Sequence, residues 1–315
     1  MDLVSGDDIA AATARLDGRI VRTPLLPCPR LSESLGVPVL LKPENLQHTG
    51  SFKVRGVFNA LLARDELPLG VATFSAGNHA AATAYAGSVL GLPVVVCMPP
   101  HAVVTKVEAV RRCGGEIIFT EDLLGACRQV AGERGFTILH PFDDLDVIAG
   151  QGSVGAEIVH DLTDPDLVIV PVGGGGLISG IAAATKAVWP KGRVVGVEPA
   201  TANAMSYALR TGSPTGMPHR PVSLADGLAA PFAGEHTLAH VQALVDEVVE
   251  VPEDAIRQAW WELMDVSKLL IEPSAAVGLA ALRLGLALPR PGGKVVLVLS
   301  GGNVAPAGLA DLDRP

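Results

Sequence analysis

Lys53 is the first residue of this sequence whose type and position suggest chemistry. It lies in the stretch ENLQHTGSFKVRG (44–56), in the first turn of a predicted helix and directly after Phe52. Ser51 is the expected N-cap of that helix, because its hydroxyl can accept a free backbone N–H. The positive end of a helix dipole disfavours a protonated amine. An easily deprotonated amine suits Schiff-base chemistry, whereas most lysines in early helical turns are solvated surface charges.

A second candidate is the stretch SAGNHA, which follows the apolar run VATF (71–74). It places Ser75, Gly77, Asn78 and His79 in a turn between a strand and a helix. Free N–H groups at the start of a helix bind anions, so the turn could hold a carboxylate or a phosphate. The alternative is an ordinary capped loop.

A third candidate is the run GGGGLISG, in which Gly173, Gly174, Gly175 and Gly176 precede a predicted helix. Consecutive glycines let a backbone approach a phosphate closely. A P-loop would need a lysine at Ile181, and no register supplies the last glycine of a dinucleotide fingerprint. Glu198 ends the next strand, where a ribose-binding acid would lie, so dinucleotide binding stays open as the weaker alternative.

The last candidate is Ser300, at the start of SGGNV (300–304) and at the end of a predicted strand. A hydroxyl at a buried strand end can donate a hydrogen bond to a ring nitrogen of a ligand. The alternative is a simple terminal turn.

These candidates follow a regular order of elements. Short Val-, Ile- and Leu-rich runs are typical of parallel strands buried on both faces. The runs that we predict as strands are 38–42, 71–74, 93–98, 116–119, 167–172, 193–198 and 294–300. The helices predicted between them lie near 53–63, 78–90, 104–113, 122–134, 153–161, 176–188, 253–269 and 274–287. This order predicts an α/β protein, in which ligands gather at the carboxyl ends of strands.

Composition narrows the possible functions. The 315 residues carry a net charge of −9, which argues against general nucleic-acid binding. No uncharged apolar run reaches the roughly 18 residues of a membrane span, and the N-terminus does not resemble a signal peptide. The four cysteines, Cys28, Cys97, Cys113 and Cys127, form no C-x-x-C pair. We therefore expect reduced thiols in a cytoplasmic protein without a membrane or nucleic-acid partner.

Taken together, the motifs resemble those of the fold-type II pyridoxal-phosphate enzymes, and more narrowly the serine/threonine dehydratase (threonine ammonia-lyase) and serine racemase family. The resemblance spans nearly the whole chain. The stretches that carry it are SFKVRG (51–56), SAGNHA (75–80), VGGGGLISG (172–180) and SGGNV (300–304), supported by HPFDD with IAGQGS (140–153), GVEP (196–199), ADGLA (225–229) and IEPS (271–274).

The resemblance implies a role for each candidate. Lys53 would be the catalytic lysine that holds pyridoxal 5′-phosphate as a Schiff base, with Phe52 against the cofactor ring. Asn78 would hydrogen-bond the 3′-oxygen, Gly173 to Gly176 would cradle the phosphate, and Ser300 would face the ring nitrogen. A serine hydroxyl leaves that nitrogen mostly unprotonated, which suits β-elimination.

The same resemblance implies a substrate pocket and an activity. Ser75, Ala76, Gly77 and His79 would line the pocket for the carboxylate of an amino-acid substrate. The expected reaction is β-elimination of L-threonine or L-serine to 2-oxobutanoate or pyruvate plus ammonia.

The expected architecture is tryptophan synthase β-like, with two open parallel-sheet α/β domains and the cofactor between them. Residues 1–65 and 145–315 would form the large domain, and 66–144 the small one. By the same analogy we expect a homodimer or homotetramer, and no C-terminal regulatory domain.

Three other functions stay open. The first is serine racemisation, but racemases of this family carry a serine hydroxyl where this chain has Ala76. The second is elimination from another β-hydroxy amino acid, such as a hydroxyaspartate or a phenylserine. The third is non-catalytic nucleotide or anion binding. We expect no tight divalent-metal site, because Glu198 matches one metal-binding acid of the racemase branch but the second position is Ala204.

Overall fold

The computed structural model describes residues 2–304 and contains two β-sheets. In spatial order, the larger sheet consists of β1 (Leu26–Pro27), β2 (Val39–Pro43), β10 (Val295–Leu299), β7 (Leu167–Pro171), β8 (Arg193–Pro199) and β9 (Glu247–Val251). The smaller sheet consists of β5 (Glu116–Phe119), β4 (Val94–Met98), β3 (Val71–Phe74) and β6 (Thr137–Ile138). All neighbouring strands are parallel except β1 and β2.

Helices cover both faces of each sheet. They are α1 (Gly6–Leu16), α2 (Pro29–Leu35), α3 (Lys53–Leu62), α4 (Asn78–Leu90), α5 (Val104–Arg112), α6 (Leu123–Arg134), α7 (Leu145–Asp161), α8 (Gly176–Val188), α9 (Ala204–Thr211), α10 (Glu235–Leu244), α11 (Glu253–Ser267) and α12 (Val277–Arg283). One face of the larger sheet packs against α11 and α12, and the other against α8, α9 and α10. Alternate strand residues are buried on each side, which explains the continuous apolar runs.

The predicted α/β class with parallel sheets is confirmed, and each predicted strand overlaps an observed one. The strands of the smaller sheet all lie within 66–144, while the domain boundaries themselves stay a prediction. The prediction missed the two-residue strands β1 and β6 and also β9, whose sequence EVVEV carries two glutamates at the edge of the larger sheet. It also missed four helices, namely α1, α2, α9 and α10.

Helix α7 begins at Leu145, eight residues before the predicted start at 153. Asp144 caps it by accepting the N–H of Val147 at 3.0 Å. Its early turns contain glycines that ordinarily weaken a helix, but here they allow close packing. A Cβ at Gly150 would lie 2.7 Å from the Cα of Gly56 in α3. Tertiary packing therefore overrides local propensity.

The prediction of Ser51 as N-cap is wrong. Phe52 occupies the N-cap position of α3, and no side chain caps this end. Ser51 instead pairs with Gly301 in an isolated antiparallel bridge, and the N–H of Phe52 donates to the carbonyl of Ser300 at 3.2 Å. This pairing keeps Ser51 extended, so the helix begins after it.

A buried ionic cluster, made of Arg55, Glu44, Glu157 and Lys42, fixes the first turns of α3. Arg55 donates to Glu44 and to Glu157, each at 2.7 Å, and Lys42 also pairs with Glu157. Two cations and two carboxylates balance, as buried charges require. The cluster ties α3 to β2, to α7 and to the short 3-10 helix Glu44–Leu46.

Candidate active site

The turns that follow β3, β7 and β10 meet at one cavity of about 870 Å³ between the carboxyl ends of the two sheets. Every site residue predicted from the sequence lines this cavity: Phe52, Lys53, Ser75, Ala76, Gly77, Asn78, His79, Gly173, Gly174, Gly175, Gly176 and Ser300. The topology brings them together because parallel strands end at the same edge.

Lys53 is the first residue of α3, and its Nζ donates to the carbonyl of Pro141 at 2.7 Å. Burial lowers the pKa of Lys53 to about 8, while the charge of Glu272 opposes that shift. The amine lies 5.1 Å from the centroid of the Phe52 ring. It is therefore held by a neutral carbonyl and is far easier to deprotonate than a surface lysine.

The turn from Ser75 to Gly77 leads into α4, whose N-cap, Gly77, has no side-chain cap. The N–H of Gly77 donates to Ser75 Oγ at 3.2 Å. Burial lowers the pKa of His79 well below its usual range, and the nearby Lys53 lowers it further. The Nε2 atom of His79 lies 3.3 Å from the carbonyl of Leu139, a contact that opposes these effects on the pKa of this buried side chain without cancelling them.

The glycine turn depends on the absence of side chains at two positions. A Cβ at Gly174 would lie 2.4 Å from the Phe142 ring, and Gly175 has a φ of 95°, which favours glycine. Thr237 Oγ1 donates to the carbonyl of Gly174 at 2.8 Å and fixes the turn. Helix α8 starts directly after it, so the turn presents free N–H groups to the cavity.

Ser300 is buried directly after β10, and its Oγ has no hydrogen-bond partner among residues 2–304. Buried hydroxyls are nearly always hydrogen-bonded in native proteins. Because Ser300 also lines the cavity, its hydroxyl is available to a bound molecule.

The sequence analysis assigned no role to the segment HPFDD (140–144), although this segment supports the family resemblance. The Nδ1 atom of His140 accepts the N–H of Asp143 at 2.8 Å, and this turn directs the carbonyl of Pro141 at Lys53. Asp143 also accepts the N–H of His236 at 2.9 Å at the start of α10. The only available signal was the position of the motif, two residues after β6.

Sequence reasoning likewise missed Glu272, in the motif IEPS, and a contact between Lys106 and Asp226. Glu272 is buried in the cavity wall and accepts a hydrogen bond from Asn78 Nδ2 at 2.8 Å. Lys106, in α5, forms an ion pair with Asp226 on the far side of the cavity. The partners in each of these contacts are far apart in the sequence, so no local sequence pattern predicts the contacts.

Glu198 is the last residue but one of β8 and does not line the cavity. Its carboxylate accepts the N–H groups of Met205 and Ser206, each at 2.8 Å, at the start of α9. Burial raises the pKa of Glu198 to about 7. Within residues 2–304 no group of three or more His, Cys, Asp or Glu side chains is arranged to hold a metal ion. Over the same residues no helix is long and apolar enough to cross a membrane.

Comparisons with known proteins agree with this geometry. Residues 16–301 match the family described as "Pyridoxal-phosphate dependent enzyme". An L-threonine ammonia-lyase of Geobacter sulfurreducens is 43% identical over 302 residues, which cover 94% of this chain and 75% of that protein. The crystal structure of a threonine deaminase from T.th. superimposes with a TM-score of 0.90 at 38% identity, covering 96% of this chain and 99% of the other. Maize serine racemase superimposes with a TM-score of 0.92 at 34% identity, covering 98% and 97%.

Proposed function

Because this chain belongs to the family of pyridoxal-phosphate dependent enzymes, we propose that it is an ammonia-lyase that converts L-threonine to 2-oxobutanoate and ammonia, and L-serine to pyruvate and ammonia. The observation that carries the proposal is the convergence of a buried amine, a glycine turn and an unpartnered hydroxyl in one cavity. The conversion balances, since the β-hydroxyl leaves with a proton as water and a second water later releases ammonia.

The residues of the cavity fit pyridoxal phosphate. Bound there, the cofactor supplies an electron sink for bond cleavage at the substrate Cα. Lys53 would hold it covalently, and the N–H groups of Gly173–Gly176 would bind the phosphate. Phe52 would lie against the ring, Asn78 would donate to the 3′-oxygen, and Ser300 would donate to the ring nitrogen, which gives its orphaned hydroxyl a partner.

Lys53 would also act as the general base that removes the Cα proton. With a pKa of about 8, a substantial fraction of its amines is unprotonated near neutral pH. The carbonyl of Pro141 orients the amine without adding charge. A base whose pKa lies close to the working pH is the most effective.

The turn containing Ser75, Ala76 and Gly77 would bind the substrate carboxylate through backbone N–H groups at the start of α4. His79 would line this pocket in its neutral form, because burial disfavours its charged form. Its single N–H would then face the carbonyl of Leu139. An anion is then held by oriented dipoles in a buried site, where they are worth more than in water.

The rest of the cavity favours a small apolar β-substituent over a second carboxylate. Phe142 packs its ring against Phe232 with centroids 5.5 Å apart, and both line the cavity. Among the described lining residues, Lys106 is paired with Asp226 and Arg220 is exposed. No buried cation other than Lys53 therefore remains among them to receive the second carboxylate of a hydroxyaspartate.

The first alternative, racemisation, needs proton transfer on both faces of the substrate Cα. Lys53 serves one face, and Ala76 offers only a methyl group where a hydroxyl would be needed on the other. We therefore expect elimination to be much faster than racemisation.

We further propose that residues 66–144 form a small lobe that closes over the bound substrate. Two contacts across the cavity support closure, namely the ion pair of Lys106 with Asp226 and the hydrogen bond between Arg220 and His101 at 3.0 Å. Closure would exclude water from the reacting centre.

By analogy with the family we also propose a homodimer or homotetramer, which light scattering of the purified protein would test. A cytoplasmic location is in keeping with four cysteines that form no disulfide.

The function is tested by screening β-hydroxy amino acids for keto-acid release by the purified, cofactor-loaded protein. We expect L-threonine and L-serine to react and L-threo-3-hydroxyaspartate to react at least tenfold more slowly. Chiral analysis of the L-serine incubation measures racemisation in the same samples. Keto-acid release from none of these substrates, or D-serine appearing faster than pyruvate, would contradict the proposal.

A further inference from the structure

Glu272 is a buried carboxyl group to which none of the roles above refers. It lines the cavity directly before the 3-10 helix Pro273–Ala275, and only 5% of its surface is exposed. Its backbone N–H donates to the carbonyl of Gly301 at 3.1 Å, which holds it beside the end of β10. A carboxylate in such a place costs free energy unless its contacts compensate for lost water.

The main contact of Glu272 is with the side-chain amide of Asn78, which is held at both ends. Asn78 Nδ2 donates to Glu272 Oε1 at 2.8 Å, and Asn78 Oδ1 accepts from Asn303 Nδ2 at 2.9 Å. Asn303 Nδ2 also donates to the carbonyl of Thr49 at 2.7 Å. Because a carboxylate can only accept, this network determines which end of the Asn78 amide carries the hydrogens.

Space for this contact exists because residue 301 is glycine. A Cβ at Gly301 would lie 2.7 Å from Glu272 Oε1 and 3.2 Å from Asn78 Nδ2. Any side chain there would separate the carboxylate from the amide. Glycine is thus needed at position 301, the second residue of SGGNV, because the hydrogen-bonded pair of Glu272 and Asn78 occupies the space of a side chain.

The amide nitrogen of Asn78 carries two hydrogens, and Glu272 takes one of them. The other remains for an acceptor in the cavity. We propose that Glu272 is a positioning residue for cofactor binding, whose carboxylate fixes the Asn78 amide so that its second N–H is presented to the 3′-oxygen of the cofactor. This inference rests on the proposed role of Asn78.

Several charged or polar groups face Glu272. Burial and, to a smaller extent, the charge of Asp226 raise the pKa of Glu272 to about 7, against the opposing effect of the hydrogen bond from Asn78. Lys106 and the backbone N–H of Asn303 also favour the ionised form. The charge of Lys53, in α3, is coupled to it as well. Since the ionised form is the stronger acceptor, cofactor affinity should fall as the pH drops through about 7.

The test is a double-mutant cycle on the dissociation constant of pyridoxal phosphate, measured by fluorescence titration of the cofactor-stripped full chain. Glu272→Gln keeps the shape, but its NH₂ end cannot accept a hydrogen bond, so Asn78 and the N–H of Asn303 compete for one oxygen. We expect it to weaken binding about tenfold, the typical effect of losing a hydrogen bond to a charged group. In an Asn78→Ala background the same change should alter binding less than twofold.

The pH dependence separates positioning from a general loss of structure. The ratio of the dissociation constants of Glu272→Gln and wild type should fall toward one as the pH decreases from 8 to 6, because protonated glutamate resembles glutamine. Titration of the cofactor itself cancels in this ratio. Because the charge of Glu272 raises the pKa of Lys53, the titration midpoint of Lys53 is measured in both proteins and its contribution to the ratio is subtracted. A ratio independent of pH would overturn the inference.

Glu198→Gln is the matched control, since Glu198 is also buried, has a similarly raised pKa and lies outside the cavity lining. Equal weakening by the two substitutions would indicate a general effect and refute positioning. If Glu272→Gln does not fold, Asn303→Ala removes the other partner of Asn78 and should also lose its effect in the Asn78→Ala background. Failure of wild type to bind pyridoxal phosphate would refute the proposed function, whereas tight binding by wild type and Glu272→Gln alike would refute only this inference.

Discussion

Lys53 in the cofactor-free protein should react with amine-selective reagents at a pH where solvent-exposed lysines are protonated. Its pKa of about 8, against 10.5 for an ordinary lysine, follows from burial in the cavity wall. At pH 7.5, about a quarter of Lys53 amines would be unprotonated, compared with about one in a thousand for an ordinary lysine. The difference in reactive amine is about two orders of magnitude. The unprotonated fraction of Lys53 rises with pH and reaches one half near pH 8.

The assay is pulse labelling of the cofactor-stripped chain between pH 6 and 11, with the extent at each lysine read by peptide mass spectrometry. Lys191 is exposed and serves as an internal reference in every sample. Because Lys53 is reached only through the cavity, access lowers its absolute rate but leaves the midpoint of its pH profile unaffected. If the labelling of Lys53 and of Lys191 had the same pH midpoint, this would refute the argument that burial lowers the pKa of Lys53.

Three further predictions concern the loaded enzyme. Lys53→Ala should abolish turnover and the visible absorption band of bound cofactor while changing the thermal unfolding midpoint by only a few degrees; near-normal activity would show that another group is the base. Ser300→Asp should still bind the cofactor but form keto acid at least tenfold more slowly, because its carboxylate would raise the pKa of the ring nitrogen; an unchanged rate would contradict the role of the neutral hydroxyl. Ala76→Ser should introduce D-serine formation, measured by chiral chromatography with Lys53→Ala as the blank, and its absence would count against the geometry assigned to the turn.

The sequence was most informative where chain order and topology coincide. Gly173–Gly176 and Ser300 could be assigned to one cavity because each follows a strand that is continuously apolar, and such strands are parallel. Placing these residues at the carboxyl edge of the sheet needs only the order of the strands and no knowledge of contacts between distant residues. For this reason the residues singled out from the sequence all line one cavity, even though several element boundaries were wrong, while their roles stay a prediction.

The errors lie where distant contacts decide the local structure. Ser51 is drawn out of a capping position by its pairing with Gly301, and α7 continues through glycines because α3 packs against them. Glu272 is 194 residues from Asn78 in the chain, so no local pattern indicates that they meet. Propensity and periodicity are local quantities, and they carry no information about such pairs.

The buried ionic cluster of Arg55, Glu44, Glu157 and Lys42 restricts how this chain can evolve. Removing one member leaves an unpaired buried charge, which costs about 3–5 kcal/mol and is a large part of the stability of most proteins. Replacing all four together with apolar residues of similar volume can be neutral. Each single step is thus deleterious although the combined change need not be. Lineages derived from this sequence should therefore retain all four residues or none. The first turns of the helix that begins at Lys53 depend on the four positions together, not on any one of them alone.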